Sequence, residues 1–160
     1  FWLNLIAARA QPARSILRDH WERFGRDFFS RHDYEGIDSD QANALMQALQ
    51  DRLEQLPGQQ FEELRVERAE NFSYQDPVDG SVSNNQGVRI FFENGARIVV
   101  RLSGTGTSGA TLRIYFDQHE RDPAYFSVYA QRFLAPLFAA GEAIMQIRHF
   151  TGRDAPDVIT

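Results

Sequence analysis

The chain has 160 residues and a net charge of −5 at pH 7, a length that suits one domain with an attached piece of another. It contains no cysteine, which excludes disulfides, thiolate metal sites and cysteine nucleophiles, and we expect a reducing compartment, by default the cytoplasm. All 17 basic residues are arginines, so Schiff-base chemistry and a P-loop lysine are excluded. The arginines are interspersed with carboxylates along most of the chain instead of forming a basic face, which argues against a nucleic-acid partner. No segment approaches the ~20 apolar residues that span a bilayer, so no membrane partner is expected.

The first 25 residues are predicted to be helical. The chain begins inside an amphipathic segment, which is typical of a fragment of a longer protein. Ser15 is the predicted N-cap of a helix that ends at Gly25, and its apolar face consists of Ile16, Leu17, Trp21 and Phe24. We expect this helix to link two domains, so that residues 1–25 end a preceding domain and residues 26–160 form a C-terminal domain.

A strand and a second helix follow this linker. Residues 28–34 are rich in aromatic side chains and predict a strand. Asp38 and Gln41 form a predicted capping box, and the helix that begins there is expected to end at Pro57-Gly58. Its apolar face consists of Leu45, Met46, Leu49, Leu53 and Leu56. Residues 61–70 alternate only loosely, which indicates an exposed or edge strand.

The clearest local pattern is an antiparallel hairpin. Apolar residues recur at every second position over 88–92 and 98–102, and Asn94-Gly95 between these segments favours a type I′ turn. The same alternation over 111–116 predicts another strand, on which Arg113 points away from the apolar face.

The last third of the chain is predicted to be mostly helical. Asp122-Pro123 begins a helix whose large residues recur at the spacing of a core-facing surface: Tyr125, Phe126, Tyr129, Phe133 and Leu137. Pro136 is expected to kink or divide this helix before Ile144 and Ile147. The order of elements predicts an α+β fold, in which helices pack on one face of an antiparallel sheet. Since these elements carry their own caps and turns, we expect the chain to fold by itself.

The connection between the last two predicted strands is the candidate functional site. Arg101 and Arg113 flank it, both on the polar side of the sheet, and a guanidinium group matches phosphate geometry. The backbone N–H groups at Gly104, Gly106 and Gly109 can approach an anion, and hydroxyl donors come from Ser103, Thr105, Thr107 and Ser108. This pattern predicts a phosphate site of about millimolar affinity, and the alternative is a flexible surface loop of small residues.

Other motifs favour structural interpretations. The spacing of Gly104, Gly106 and Gly109 matches a dinucleotide fingerprint, but a strand rather than a helix follows it. Asp76 and Asp79 could form a catalytic carboxylate pair, yet Asp-Pro and Asp-Gly are first of all turn formers. The histidines, at positions 20, 32, 119 and 149, lack the spacing of metal ligands, so no metal site is predicted.

Several separated stretches together resemble one protein family. They are Asp19-His20-Trp21 with Phe24 to Phe29, then Phe72 to Ser81, Arg101 to Gly106, and Pro156 to Thr160. In this order, over essentially the whole chain, the sequence resembles the C-terminal part of the glucose-specific phosphoglucomutases of the α-D-phosphohexomutase superfamily. The resemblance implies a TATA-binding-protein-like α+β fold, as the fourth of four domains around a deep cleft.

The resemblance also implies an activity and a site. The longer enzyme would be an isomerase that interconverts glucose 1-phosphate and glucose 6-phosphate through a phosphoserine, Mg²⁺ and glucose 1,6-bisphosphate. Residues 26–160 would be its phosphate-binding domain, with the phosphosugar and the other three domains as partners. The residues that would bind the phosphate not being transferred are Arg101, Ser103, Thr105 and Arg113, with Gly104, Gly106 and Thr107 shaping the loop.

The same resemblance limits what the chain does alone. The family's catalytic serine loop, metal loop and sugar-recognition loop have no counterpart here, so no catalytic residue is predicted and the isolated chain is not expected to be active. Mg²⁺ and the bisphosphate would be bound by the longer enzyme. Two alternatives remain: a phosphomannomutase-type relative, although Asp76 to Ser81 resembles the glucose-specific branch more, and a catalytically silent relative with a structural or interaction role.

Overall fold

The computed structural model describes residues 1–106 and 109–160. Their strands are β1 (Arg26–Ile37), β2 (Gln60–Phe61), β3 (Leu64–Gln75), β4 (Val82–Phe92), β5 (Arg97–Gly106), β6 (Gly109–Glu120) and β7 (Val158–Ile159). Their α-helices are α1 (Trp2–Arg9), α2 (Ala13–Phe24), α3 (Ser39–Asp51), α4 (Ala130–Phe133), α5 (Ala135–Met145) and α6 (Ile147–Thr151). Short 3₁₀ segments occur at Leu53–Gln55 and Pro123–Tyr125.

The strands form one antiparallel sheet in the order β2-β3-β4-β5-β6-β1-β7. Because side chains alternate between the two faces of a strand, every second residue over 88–92, 98–100 and 112–116 points into the core. These buried residues are Val88, Ile90, Phe92, Ile98, Val100, Leu112, Ile114 and Phe116. Helices α3 and α5 contribute Leu45, Leu49, Leu137 and Ile144 to the same core. The predicted α+β fold is confirmed.

Helix α2 begins earlier than the sequence predicts. Pro12 rather than Ser15 is its N-cap, and the Pro12 carbonyl accepts hydrogen bonds from the N–H groups of Ser15 and Ile16. Proline provides the helix start because its fixed φ, here −68°, suits this position and its missing N–H costs nothing there. The end at Gly25 is confirmed: Gly25 N donates to Trp21 O at 2.7 Å. The division between residues 1–25 and 26–160 stays a prediction.

Helix α3 begins as predicted but ends sooner. Asp38 Oδ1 accepts hydrogen bonds from the N–H groups of Asp40 and Gln41, at 3.0 and 3.2 Å. The helix ends at Asp51 rather than at Pro57-Gly58. A 3₁₀ segment follows and leads to Leu56, whose side chain is completely buried. The tighter winding therefore carries the end of this segment into the core.

The β3–β4–β5 region follows the predicted pattern, with one difference in a turn. The loosely alternating segment over 61–70 lies mostly in β3. The edge strand next to β3 is β2, which has only two residues. In the β4–β5 turn, Gly95 has a φ of 84°, whereas Asn94 is not left-handed. Phe92 O accepts from Gly95 N, and Phe92 N donates to Ala96 O, both at 2.9 Å. The connection is therefore a three-residue hairpin loop and not a type I′ turn.

The helix predicted after β6 is divided into several pieces, and the division expected at Pro136 is confirmed. Asp122 caps the first, a 3₁₀ turn, by accepting from Ala124 N at 2.9 Å. Pro136 lies in the first turn of α5, because it has no N–H to continue the preceding helix. The predicted core-facing aromatic row is wrong in part, since Tyr129 is 74% exposed while Phe126 is buried. No helix in the described residues is both long and apolar enough to cross a bilayer.

Candidate phosphate-binding site

Arg101 and Arg113 face each other across β5 and β6. The register pairs them directly, and both side chains are exposed on the polar face of the sheet, as predicted. Like charges that lie opposite each other in a sheet repel and lower stability. Within residues 1–106 and 109–160, Arg101 makes no ion pair, while Arg113 has a carboxylate at 3.8 Å. We call Arg101 and Arg113 the arginine pair; its two cations could bind one anion.

The glycine-rich segment next to this pair is mostly strand rather than loop. Strand β5 continues to Gly106 and β6 begins at Gly109, so strand pairing extends well beyond the two arginines. Ser103 pairs with Thr111 and Gly106 pairs with Gly109, and the register shifts between these two pairs. The shift interrupts the regular ladder at this point.

The remaining predicted phosphate-binding residues lie around this shift. Ser103 is half-buried and Gly104 is exposed. Thr105 and Gly106 are the last two residues of β5. Thr107 lies outside the described residues, as does Ser108. The phosphate-binding roles of all these residues, and of the arginine pair, stay predictions.

Two glycines set the backbone path near the register shift. Gly104 has a φ of 70° and Gly109 has a φ of 90°, both in the region that L side chains rarely adopt. The two residues are neighbours, since a Cβ on Gly104 would lie 3.8 Å from the Gly109 carbonyl oxygen. The glycines are therefore required by the backbone itself, in addition to the close access that they give an anion.

A buried carboxylate lies beside the arginine pair, and the sequence did not indicate it. Asp33 is on β1, directly opposite Arg113 in the β1–β6 register, and is only 3% exposed. Arg113 Nε lies 3.8 Å from Asp33 Oδ2, and Arg31 Nε lies 3.0 Å from Asp33 Oδ1. Asp33, Arg113 and Arg101 thus form one row across β1, β6 and β5. The alternation of β1 puts Asp33 on the polar face, but its partner strand is 80 residues away in sequence.

The polar face of the sheet also contains a groove of about 760 Å³. Arg101 is at one wall, and the aromatic side chains of Phe29, Phe72 and Tyr115 contribute to the lining. Arg97 lies in the same groove, but its charge is balanced by Asp117, whose Oδ2 is 3.0 Å from both Arg97 Nε and Nη2. Arg101 is therefore the arginine of this groove that forms no ion pair with a carboxylate of the described residues.

His119 lines the groove, but none of the contacts within the described residues joins a histidine to the arginine pair. Among the described residues, no group of three or more His, Asp or Glu side chains could hold a metal ion. His32 packs between the rings of Phe116 and Phe138, at centroid distances of 4.9 and 4.5 Å, and burial lowers its pKa. His119 Nδ1 lies 2.7 Å from Asp27 Oδ1. These contacts give His32 and His119 structural environments.

Asp76 and Asp79 shape the turn between β3 and β4. Asp76 Oδ1 accepts a hydrogen bond from Val78 N at 2.7 Å, and Asp79 Oδ1 accepts one from Ser81 N at 2.8 Å. Hydrogen bonds from the side chain and backbone of Ser81 lower the pKa of Asp79. The turn interpretation of these two residues is confirmed.

Comparison with known proteins gives consistent matches. A family model for the C-terminal domain of phosphoglucomutase-1 matches residues 26–157. The phosphoglucomutase of Rhizobium radiobacter is 49% identical over 160 residues, which are 100% of this chain and 30% of that protein. Phosphoglucomutase-1 of Homo sapiens is 46% identical over 165 residues, with 99% of this chain and 29% of that protein covered.

A solved structure agrees with these sequence matches. The exocytosis-sensitive phosphoprotein pp63/parafusin of Paramecium, a phosphoglucomutase in its open form, aligns with a TM-score of 0.85 at 39% identity. The alignment covers 99% of this chain and 28% of that chain, so the present chain spans less than a third of the length of its relatives. The chain belongs to the phosphoglucomutase family and corresponds to the family's C-terminal domain.

Proposed function

We propose that this chain is the substrate-phosphate-binding domain of an enzyme that interconverts glucose 1-phosphate and glucose 6-phosphate through glucose 1,6-bisphosphate. The observation that carries the proposal is the arginine pair: Arg101 and Arg113 are in direct register, exposed, and next to a glycine-rich register shift. Two like charges held opposite each other favour binding of an anion between them. Membership of the phosphoglucomutase family makes a sugar phosphate the natural ligand.

The proposed role of the site is binding and orientation. A reaction that alternates between two ends of a sugar needs a distant group that holds the phosphate not being transferred. Guanidinium groups fixed on two paired strands can supply this contact, with hydroxyl and backbone N–H donors beside them. The residues assigned to the substrate phosphate are Arg101, Ser103, Gly104, Thr105, Gly106, Thr107 and Arg113.

The reacting groups would come from elsewhere in the longer enzyme. The described residues contain no cluster of metal-ligating side chains, so we propose that Mg²⁺ is bound outside this chain. The phosphoserine would likewise lie on one of the other three domains, and the isolated chain is proposed to be inactive. The proposed compartment is the cytoplasm, on the basis of the cysteine-free composition.

Binding can be tested directly on the 160-residue chain. Amide NMR titrations with glucose 6-phosphate, inorganic phosphate and glucose should shift the resonances of Arg101, Gly104 and Arg113 with both phosphates and leave them unchanged with glucose. We expect dissociation constants of about millimolar order, because two charge-assisted hydrogen bonds contribute roughly 1.5–3 kcal/mol each before ordering costs. Shifts that are equal with glucose and glucose 6-phosphate would contradict phosphate recognition.

The reaction can be tested in a chimaeric enzyme. The corresponding C-terminal part of the Rhizobium radiobacter phosphoglucomutase, which is 49% identical, is replaced with this chain. Arg101→Ala should lower kcat/KM for glucose 1-phosphate about ten- to hundredfold. Arg97→Ala is the matched control, because Arg97 lies on the same strand and face but is balanced by Asp117. Equal losses in the two variants would overturn the assignment of the arginine pair.

A further inference from the structure

Asp33 is a buried carboxylate on the polar face of the sheet. It is only 3% exposed, although carboxylates are almost never fully buried unless they are paired. Removing a carboxylate from water is costly, and the cost is offset only by close positive charge and hydrogen bonds. The surroundings of Asp33 should therefore show what retains it.

Two arginines supply the positive charge. Arg31 Nε lies 3.0 Å from Asp33 Oδ1, an ion-pair distance whose geometry is not that of a hydrogen bond. Arg113 Nε lies 3.8 Å from Asp33 Oδ2. Both contacts involve the Nε side of the guanidinium group. The terminal nitrogens of Arg113 are therefore not needed for the contact with Asp33.

The backbone of Asp33 is held firmly on both sides. Strand β6 pairs with it at Arg113, and β7 pairs with it at Val158. The Asp33 carbonyl oxygen also accepts a hydrogen bond from Asp157 N at 2.8 Å. A carboxylate on so constrained a backbone can fix the direction of a flexible side chain beside it.

We propose that Asp33 is a positioning residue for the phosphate site: it holds the Nε side of Arg113, so that the terminal guanidinium nitrogens face the phosphate beside Arg101. This inference rests on the proposed function of the arginine pair. Asp33 also offsets the repulsion between Arg101 and Arg113, because its negative charge lies in the same row of the sheet.

The sign of the effect separates positioning from simple electrostatics. A carboxylate close to a phosphate site repels the phosphate, so by charge alone Asp33→Asn should strengthen phosphate binding. If Asp33 directs Arg113, the same substitution should weaken binding, because Arg113 loses the contact that orients it. The direction of the change is therefore decisive.

The test measures the affinity of the 160-residue chain for inorganic phosphate by NMR titration. The variants are Asp33→Asn, Arg113→Ala and the double variant, with Asp117→Asn as the control. Asp117 is a carboxylate on the same face that pairs with Arg97 instead of the arginine pair. Thermal melting of each variant verifies folding. If Asp33→Asn does not melt cooperatively, Asp33→Glu takes its place: it keeps the charge but displaces the carboxylate, so positioning predicts weaker phosphate binding and charge alone predicts no change. The Arg113 Nε–Hε resonance reports the contact without ligand.

Asp33→Asn should weaken phosphate binding roughly tenfold, since a misdirected Arg113 loses a charge-assisted hydrogen bond to the phosphate, which has an effect of this order. The double variant should bind no more weakly than Arg113→Ala, because Asp33 acts through Arg113. Asp117→Asn should bind phosphate at least as tightly as the original chain, because it removes a negative charge from the groove without touching Arg113. The Arg113 Nε–Hε resonance should move only when Asp33 is changed.

Each other outcome overturns the inference. Unchanged or tighter phosphate binding by Asp33→Asn excludes positioning. Positioning is also excluded if Asp33→Asn lowers the affinity equally in the original chain and in Arg113→Ala. In either case, a lower affinity of Arg113→Ala alone would still support the proposed function. If the original chain binds no phosphate at tens of millimolar, the proposed function fails and the role of Asp33 fails with it.

Discussion

Gly109 packs directly against Gly36. A Cβ atom on Gly109 would lie 3.2 Å from the Cα and carbonyl carbon of Gly36 and 3.1 Å from the carbonyl oxygen of Ile37. This contact joins the first residue of β6 to the end of β1. The position of the register shift beside the arginine pair thus depends on close backbone packing between these strands.

Gly109→Ala should therefore destabilise the chain. The alanine would have to keep a φ of 90° and would also press on backbone atoms that cannot rotate away. We expect the free energy of unfolding to fall by about 1–3 kcal/mol, as for other residues held in unfavourable backbone regions. Urea unfolding measures this loss, and the affinity for phosphate should fall as well, because β6 starts in a displaced position.

Gly36→Ala is the matched control for this substitution. Gly36 also has a positive φ, 62°, but a Cβ added there meets no atom within 4 Å. The control carries backbone strain without the contact, so it should lose less stability than Gly109→Ala. Equal losses in the two variants would show that the contact with Gly36 does not contribute.

The arginine pair should lower the stability of the free chain. Arg101→Ala removes one of two like charges that lie directly opposite each other. In phosphate-free buffer we expect the free energy of unfolding to rise by about 0.2–1 kcal/mol, the size of other cross-strand pair effects. Added phosphate should stabilise the original chain but leave Arg101→Ala unchanged, since a ligand stabilises the state that binds it.

Arg97→Ala serves as the control for this experiment. It removes an arginine from the same strand and face, but one whose Nε and Nη2 contact Asp117. This variant should lose stability or stay unchanged in phosphate-free buffer. A loss of stability in Arg101→Ala under the same conditions would contradict repulsion within the arginine pair.

Local patterns predicted the strands and the arginine pair. Alternation over β4, β5 and β6, with Asn94-Gly95 between the first two strands, fixes which residues face the core and therefore that Arg101 and Arg113 face the other way. The cap at Asp38 was predictable for the same reason, since it depends on two N–H groups that follow directly in sequence.

Long-range contacts could not be predicted in this way. Asp33 contacts Arg113 only because β1 inserts between β6 and β7, and no local pattern encodes that order. The β5–β6 connection was predicted as a loop because glycine-rich segments favour turns. In the structure Gly106 pairs with Gly109, and this pairing depends on both strands and on the packing of Gly109 against β1. The end of α3 at Asp51 likewise depends on which side chains the core accepts, whereas the break at Pro136 has a local cause and was predicted.

The stability of the chain should decrease below neutral pH because of His32. This residue is 8% exposed and lies between Phe116 and Phe138. Burial lowers its pKa from the ordinary 6.5, although a hydrogen bond with Gln131 and the charge of Asp33 act in the opposite direction. As the pH falls through 6.5, the unfolded chain takes up a proton that the folded chain does not. The free energy of unfolding therefore falls from that point until the pH reaches the lower pKa of the folded state.

His32→Phe removes this proton uptake and keeps an aromatic ring among aromatic neighbours. Its unfolding free energy, measured by urea titration between about pH 7 and 5, should depend less on pH than that of the original chain, because ordinary carboxylates titrate mainly below this range. His149→Phe, at an exposed position, is the control and should keep the original dependence. Parallel curves for His32→Phe and the original chain would show that His32 does not cause the loss.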